Sequence, residues 1–81
     1  MLADQIRTYA LSLVYQAKES GEKTVTIKAA DIHSALNLKN RFPAVCGAID
    51  TNKFKELANV GQIQKLGPNQ SSTVVWVIDI L

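Results

Sequence analysis

Pro43 constrains this chain more than any other residue. It stands inside a run of apolar residues at helical spacing, Phe42, Val45, Cys46 and Ile49. Proline is accepted in a helix only within the first turn, where its missing N–H has no intrahelical partner to lose. A helix carrying that stripe must therefore begin at about Asn40 to Phe42, with Asn40 placed to cap it. Upstream, Ile32, Ala35 and Leu36 form a second stripe on one helical face, closed by Leu38. Asp31 to Asp50 thus reads as two short amphipathic helices joined by a basic turn, Lys39-Asn40-Arg41. That is the pattern of a helix-turn-helix.

The flanking residues extend the pattern. Residues 3–19 are expected to form a helix with Leu2, Ile6, Tyr9, Ala10, Leu13, Val14 and Ala17 on one broad face and Asp4, Arg7, Thr8, Ser12, Lys18 and Glu19 opposite. Leu11 and Tyr15 sit four apart within the polar side. They form either a patch beneath a neighbouring strand or chain end, or a two-fold helix–helix contact between protomers. Gly21 suits the left-handed position that ends a helix. Residues 24–28 alternate and are β-branched, a strand with Val25 and Ile27 inward. A helix over 30–37 follows, with Asp31 at or near its cap and His33 off the stripe, facing solvent. The helix over 41–50 turns Pro43, Ala44, Gly47, Ala48 and Thr51 outward, and Asp50-Thr51-Asn52 ends it.

A short turn over 53–58 is expected to put Phe54, Leu57 and Ala58 on the core before Asn59-Val60-Gly61 breaks the chain. Strands are expected over 62–66 and 73–80, joined by the turn-rich loop 67–72. Val74, Trp76, Ile78 and Ile80 share one face of the last strand; Val75 and Val77 form a second apolar face, open to pairing with a partner.

This order of elements, with the D-I-x-x-A-L-x-L run at Asp31 to Leu38, resembles the winged helix family. The resemblance spans about residues 3 to 80 and implies one α+β domain over residues 1–81: a three-helix core with a small antiparallel sheet. It also implies that Pro43 to Asp50 is a recognition helix for the major groove and Gly67 to Ser72 a wing on neighbouring backbone or minor groove, in a DNA-binding protein that is often a dimer. The chain departs from the pattern in its longer turn after Leu38, in a wing without Arg or Lys, and in a recognition face without base-reading side chains.

Charge points the same way. Residues 1–22 carry Arg7 and Lys18 against Asp4, Glu19 and Glu22, whereas residues 23–81 carry seven basic against four acidic side chains. A basic body suits a polyanion. Lys39, Arg41, Lys53 and Lys65 are the expected phosphate contacts, with Asn40, Asn52, Asn69 and Gln70 adding hydrogen bonds and Ala44, Gly47 and Thr51 forming a small-residue surface for close approach. Leu11, Tyr15, Val75 and Val77 are the expected dimer contacts. The functional expectation is a homodimeric transcription regulator or nucleoid-type factor on double-stranded DNA, cytoplasmic and nucleoid-associated. The alternative is a protein-interaction module or subunit of a larger assembly. One His, one Cys and no phosphate-cradling glycine loop leave nothing from which to assemble an enzyme site, and no cofactor or metal is expected. No apolar run approaches the roughly 20 residues of a membrane span.

Overall fold

A computed structural model describes residues 2–68 and 71–81. Seven elements follow one another: α1 Leu2–Glu19, β1 Thr24–Lys28, α2 Ala29–Ala35, α3 Phe42–Ile49, α4 Asn52–Ala58, β2 Ile63–Leu66 and β3 Val75–Asp79. They make an α+β arrangement of four helices and a three-stranded antiparallel sheet, ordered β1-β3-β2.

α1 buries Ile6, Ala10, Val14 and Ala17, spaced by four, four and three, against α3, β1 and α4. It ends where expected. Gly21 takes a φ of +73°, Glu22 N–H reaches back to Ala17 O (2.9 Å) and Gly21 N–H to Lys18 O (3.1 Å), which satisfies carbonyls the helix leaves open. β1 runs directly into α2, and Ala29 N–H donates to Val74 O across the sheet (3.0 Å). The cap position of α2 is therefore Lys28, with no side-chain cap, while Asp31 lies inside the first turn, favourably placed for the helix dipole. Asn37, with a φ of 58°, closes α2 through the bonds Leu38 N–H to His33 O and Asn37 N–H to Ser34 O.

The turn into α3 corrects one expectation. Asn40 does not cap α3; it adopts a left-handed φ of 53°, and Arg41 occupies the cap position without a side-chain bond. Asparagine serves either purpose, because its short amide tolerates left-handed backbone as well as it caps. Pro43 falls in the first turn, as it must. α3 is wrapped more fully than a single stripe implies. Val45, Cys46, Ala48 and Ile49 are all buried, because α1 packs on one side of this helix and α2 on another. Ala48, expected outward, is 2% exposed.

α4 is a seven-residue helix rather than a loose turn. Thr51 sets its start: the Thr51 Oγ1 accepts from Phe54 N–H (3.2 Å) and donates to Ala48 O (3.2 Å). Phe54 and Ala58, one turn apart, are buried, whereas Leu57 is 49% exposed instead of lying in the core. Two cations of α1 finish the helix ends. Arg7 donates to Ala48 O in the last turn of α3, and Lys18 donates to Ala58 O and Asn59 O at the end of α4. Each places positive charge at a C-terminus, the favourable pole of the dipole.

The strands alternate strictly. Ile27, Trp76 and Lys65 stand in one cross-strand row, and Val25, Ile78 and Ile63 in the next, all on the helix-covered face. Thr26, Val77 and Gln64 run between these two rows, and Lys28, Val75 and Leu66 beyond the first, both on the outer face. β3 is thus the central strand, hydrogen-bonded on both sides. It offers no edge to a partner strand, contrary to the expectation for Val75 and Val77; the edges belong to β1 and β2. Trp76 and Phe54 are the largest fully buried side chains, with Ile6, Ile32, Ile49 and Ile78 packed in the same core.

Candidate nucleic-acid interface

The sequence places its basic turn and its small-residue helix side by side, and the candidate residues gather at the two ends of α3. At the N-terminal end, Lys39, Asn40 and Arg41 are all exposed. At the C-terminal end, Asn52, Lys53 and Lys55 project from α4, also exposed. Lys55 belongs with Lys53 but is hidden in the sequence by the acidic Glu56 beside it. Between the turn that carries the first group and the Asp50–Thr51 corner that leads to the second, α3 runs for eight residues, a rise of about 12 Å. Between them only Pro43 and Gly47 of α3 are exposed, with Ala44 half-buried. A Cβ built on Gly47 would meet nothing within 4 Å. Thr51 is half-buried and its hydroxyl is committed to capping α4, so it contributes position and not contact.

Lys65 has a different place from the one its flanking position suggests. Its ammonium pairs with Asp50 Oδ2 at 2.5 Å, while Asp50 Oδ1 accepts from Trp76 Nε1 at 2.8 Å. Lys65 and Trp76 are cross-strand partners, so one carboxylate at the α3–α4 corner gathers both strands of the hairpin. The indole is fully buried, and an unmet N–H there would be costly. Asp50 therefore fixes the hairpin to the helix corner. Sequence reasoning took it for a helix terminator only.

The hairpin loop spans residues 67–74, of which Asn69 and Gln70 lie outside the described residues. Gly67 is required on the near side: its φ is +102°, and a Cβ there would sit 2.9 Å from Thr73 O. On the far side Ser71 binds the loop to itself. Its hydroxyl donates to Pro68 O (3.1 Å) and accepts from Thr73 N–H (3.3 Å). Pro68, Ser72 and Thr73 are exposed.

His33 was expected to face solvent. It is half-buried instead. Its ring lies flat on Phe42 (centroids 4.1 Å apart, planes within 8°), and its Nε2 accepts from the Arg41 backbone N–H at 3.2 Å. Eight residues separate His33 from Arg41, a distance no local motif spans, which is why the pattern of apolar residues does not reveal the contact.

The expected dimer residues do not form one surface. Leu11 is half-buried and packs against the core. Tyr15 is 50% exposed, with Lys18 Nζ 6.0 Å from its ring centre. Val75 and Val77 are half-buried on the outer face of the sheet, away from the helices. The sheet separates the two pairs. A shallow cleft of about 490 Å³ lies on the α1 side, floored by Tyr9 and Leu36 and rimmed by Asp4, Gln5, Thr8 and Ser12.

Among the described residues no group of three or more His, Cys, Asp or Glu side chains could hold a metal, and no helix is long and apolar enough to cross a membrane. Comparison of the chain with protein-family models, curated proteins and solved structures found no match.

Proposed function

We propose that this chain is a winged helix protein that binds duplex DNA through its phosphates, as a homodimeric regulator or nucleoid-type factor. The observation that carries the reading is the spacing of exposed cations about α3. Lys39 and Arg41 stand at one end and Lys53 and Lys55 at the other, none in an ion pair among the described residues. α3 between them rises about 12 Å over its eight residues, comparable to the width of the major groove, about 12 Å. Between them the surface is nearly bare, so backbone can approach backbone. The order of elements, the sheet order β1-β3-β2 and the hairpin braced by Asp50 support the winged helix assignment.

Binding of this kind positions without reading sequence. Four phosphate contacts per protomer give a slope of log affinity against log salt of roughly −3.6, a loss on the order of a hundredfold between about 50 and 200 mM salt. Fluorescence anisotropy of a labelled duplex at those two concentrations is the test. Lys39→Glu with Arg41→Glu should abolish binding while circular dichroism stays native. Affinity indifferent to salt, or no binding at the lower concentration, refutes the reading.

A second reading, docking to another protein, is favoured by the outer face of the sheet. There Val75 and Val77 are flanked by Leu66, which is 43% exposed. Under that reading the charge reversal at Lys39 and Arg41 leaves partner binding unchanged.

A further inference from the structure

We infer that His33 is a protonation-sensitive latch that holds the basic turn in its bound-ready shape. The inference rests on the nucleic-acid reading only for its consequence, since the latch itself is a property of the isolated chain. Two contacts define it: the Arg41 N–H donates to His33 Nε2 at 3.2 Å, and the imidazole stacks on Phe42 at 4.1 Å. An imidazole nitrogen can accept from an N–H only while it carries no proton of its own. The geometry therefore fixes the neutral ring with its proton on Nδ1.

The turn depends on this contact more than its neighbours do. Arg41 is the cap residue of α3 and has no side-chain cap bond. Asn40 beside it holds a left-handed φ of 53°, and Lys39, Asn40 and Arg41 are exposed. Upstream, the turn is tied to α2 through Leu38 N–H to His33 O (3.0 Å), so both ends of the basic turn are fastened to the same residue. Protonation of Nε2 sets two N–H donors against each other, and the Arg41 end must swing away.

The charged groups on the surrounding elements are Asp31 on α2 itself, Lys39 and Arg41 in the turn, Lys28 at the end of β1, and Asp4 and Arg7 on α1. Among the described residues none of them forms an ion pair with the ring, and Asp4 and Arg7 are paired with each other.

The direct test is a heteronuclear NMR titration of the wild-type protein between about pH 5 and 8. The Arg41 amide resonance should move with the same midpoint as the His33 ring carbons, and its protection, the intrinsic exchange rate at each pH over the observed one, should fall below that midpoint. His33→Phe preserves the stack and removes the acceptor; in it the Arg41 amide should have lost its protection against exchange at every pH. Duplex affinity in that variant should fall by roughly three- to tenfold, the worth of one hydrogen bond. His33→Gln, which can accept through its amide oxygen, should restore part of it. An Arg41 amide that stays still while the His33 ring titrates overturns the latch. If the wild-type protein binds no duplex at any pH, the nucleic-acid reading fails, and the amide titration still decides the latch.

Discussion

Replacing Asp50 with alanine is the sharpest test of how the hairpin is held to the helices. The variant removes the acceptor of a fully buried indole N–H, since Trp76 is 0% exposed and donates to Asp50 Oδ1 at 2.8 Å. Leaving that donor unmet costs about 1–3 kcal/mol. The Lys65 pair is lost as well, but both side chains are partly exposed, at 28% and 34%, so solvent screening limits that share to at most about 1 kcal/mol. The total is about 1–4 kcal/mol, a large part of the stability of a chain this short. In a domain of this size it corresponds to a fall in Tm on the order of 5–30 °C. Urea denaturation followed by tryptophan fluorescence measures it, with Trp76 as the sole fluorescent indole. Two further variants apportion the loss. Lys65→Met keeps the aliphatic stem and should cost less than about 1 kcal/mol. Asp50→Asn keeps a neutral acceptor for the indole and should fall between the two. If Asp50→Ala and Lys65→Met are equally mild, both within about 0.5 kcal/mol of wild type, the indole bond is not what anchors the hairpin and the reasoning fails.

Gly47→Ala should stabilise the protein by about 0.5–1 kcal/mol, since a Cβ there meets nothing within 4 Å and the helix interior favours alanine; thermal unfolding reads it. Gly67→Ala should destabilise by about 1–3 kcal/mol, because its φ of +102° is strained for alanine and the Cβ would press on Thr73 O at 2.9 Å. In a dimer built on α1, Leu11→Glu with Tyr15→Glu lowers the mass seen by light scattering to that of one chain, and a Val75→Lys, Val77→Lys pair leaves it unchanged. A dimer that survives the first pair and dissociates with the second places the contact on the sheet.

Much of the fold is legible because the signals that specify it are local. Pro43 marks the start of α3, Gly21 marks the end of α1, and alternation over Thr24–Lys28 and Val75–Asp79 marks strands. What escaped depends on pairs distant in sequence. The burial of Ala48 requires α1 to lie against α3, and Arg7, 41 positions away, is part of that contact through Ala48 O. The central place of β3 requires β1 to pair with a strand some 50 residues later, and a terminal strand carries no mark of which neighbours it will have. At the candidate site the basic turn could be read directly from Lys39-Asn40-Arg41. The partners of His33 and Asp50 could not, since both are short polar side chains with ordinary local roles on helices.

The distinction that follows is between cations that build the molecule and cations left over. Arg7 and Lys18 are spent on helix C-termini, and Lys65 on Asp50. Counting basic residues along the chain treats these like the others, and so assigns Lys65 to a ligand. Subtracting them leaves Lys39, Arg41, Lys53 and Lys55 about α3, with Lys23 and Lys28 in and just before β1. The two sets make opposite predictions for substitution. Neutralising a structural cation should lower stability and leave the salt dependence of any polyanion binding alone. Neutralising one of the four about α3 should leave stability within about 0.5 kcal/mol and reduce the salt slope by roughly 0.9. Lys55→Gln is the most telling member, because nothing but its position on the exposed side of α4 argues for it. An unchanged salt slope in that variant would confine the contact to the Lys39–Arg41 turn and remove the groove-spanning geometry from the argument.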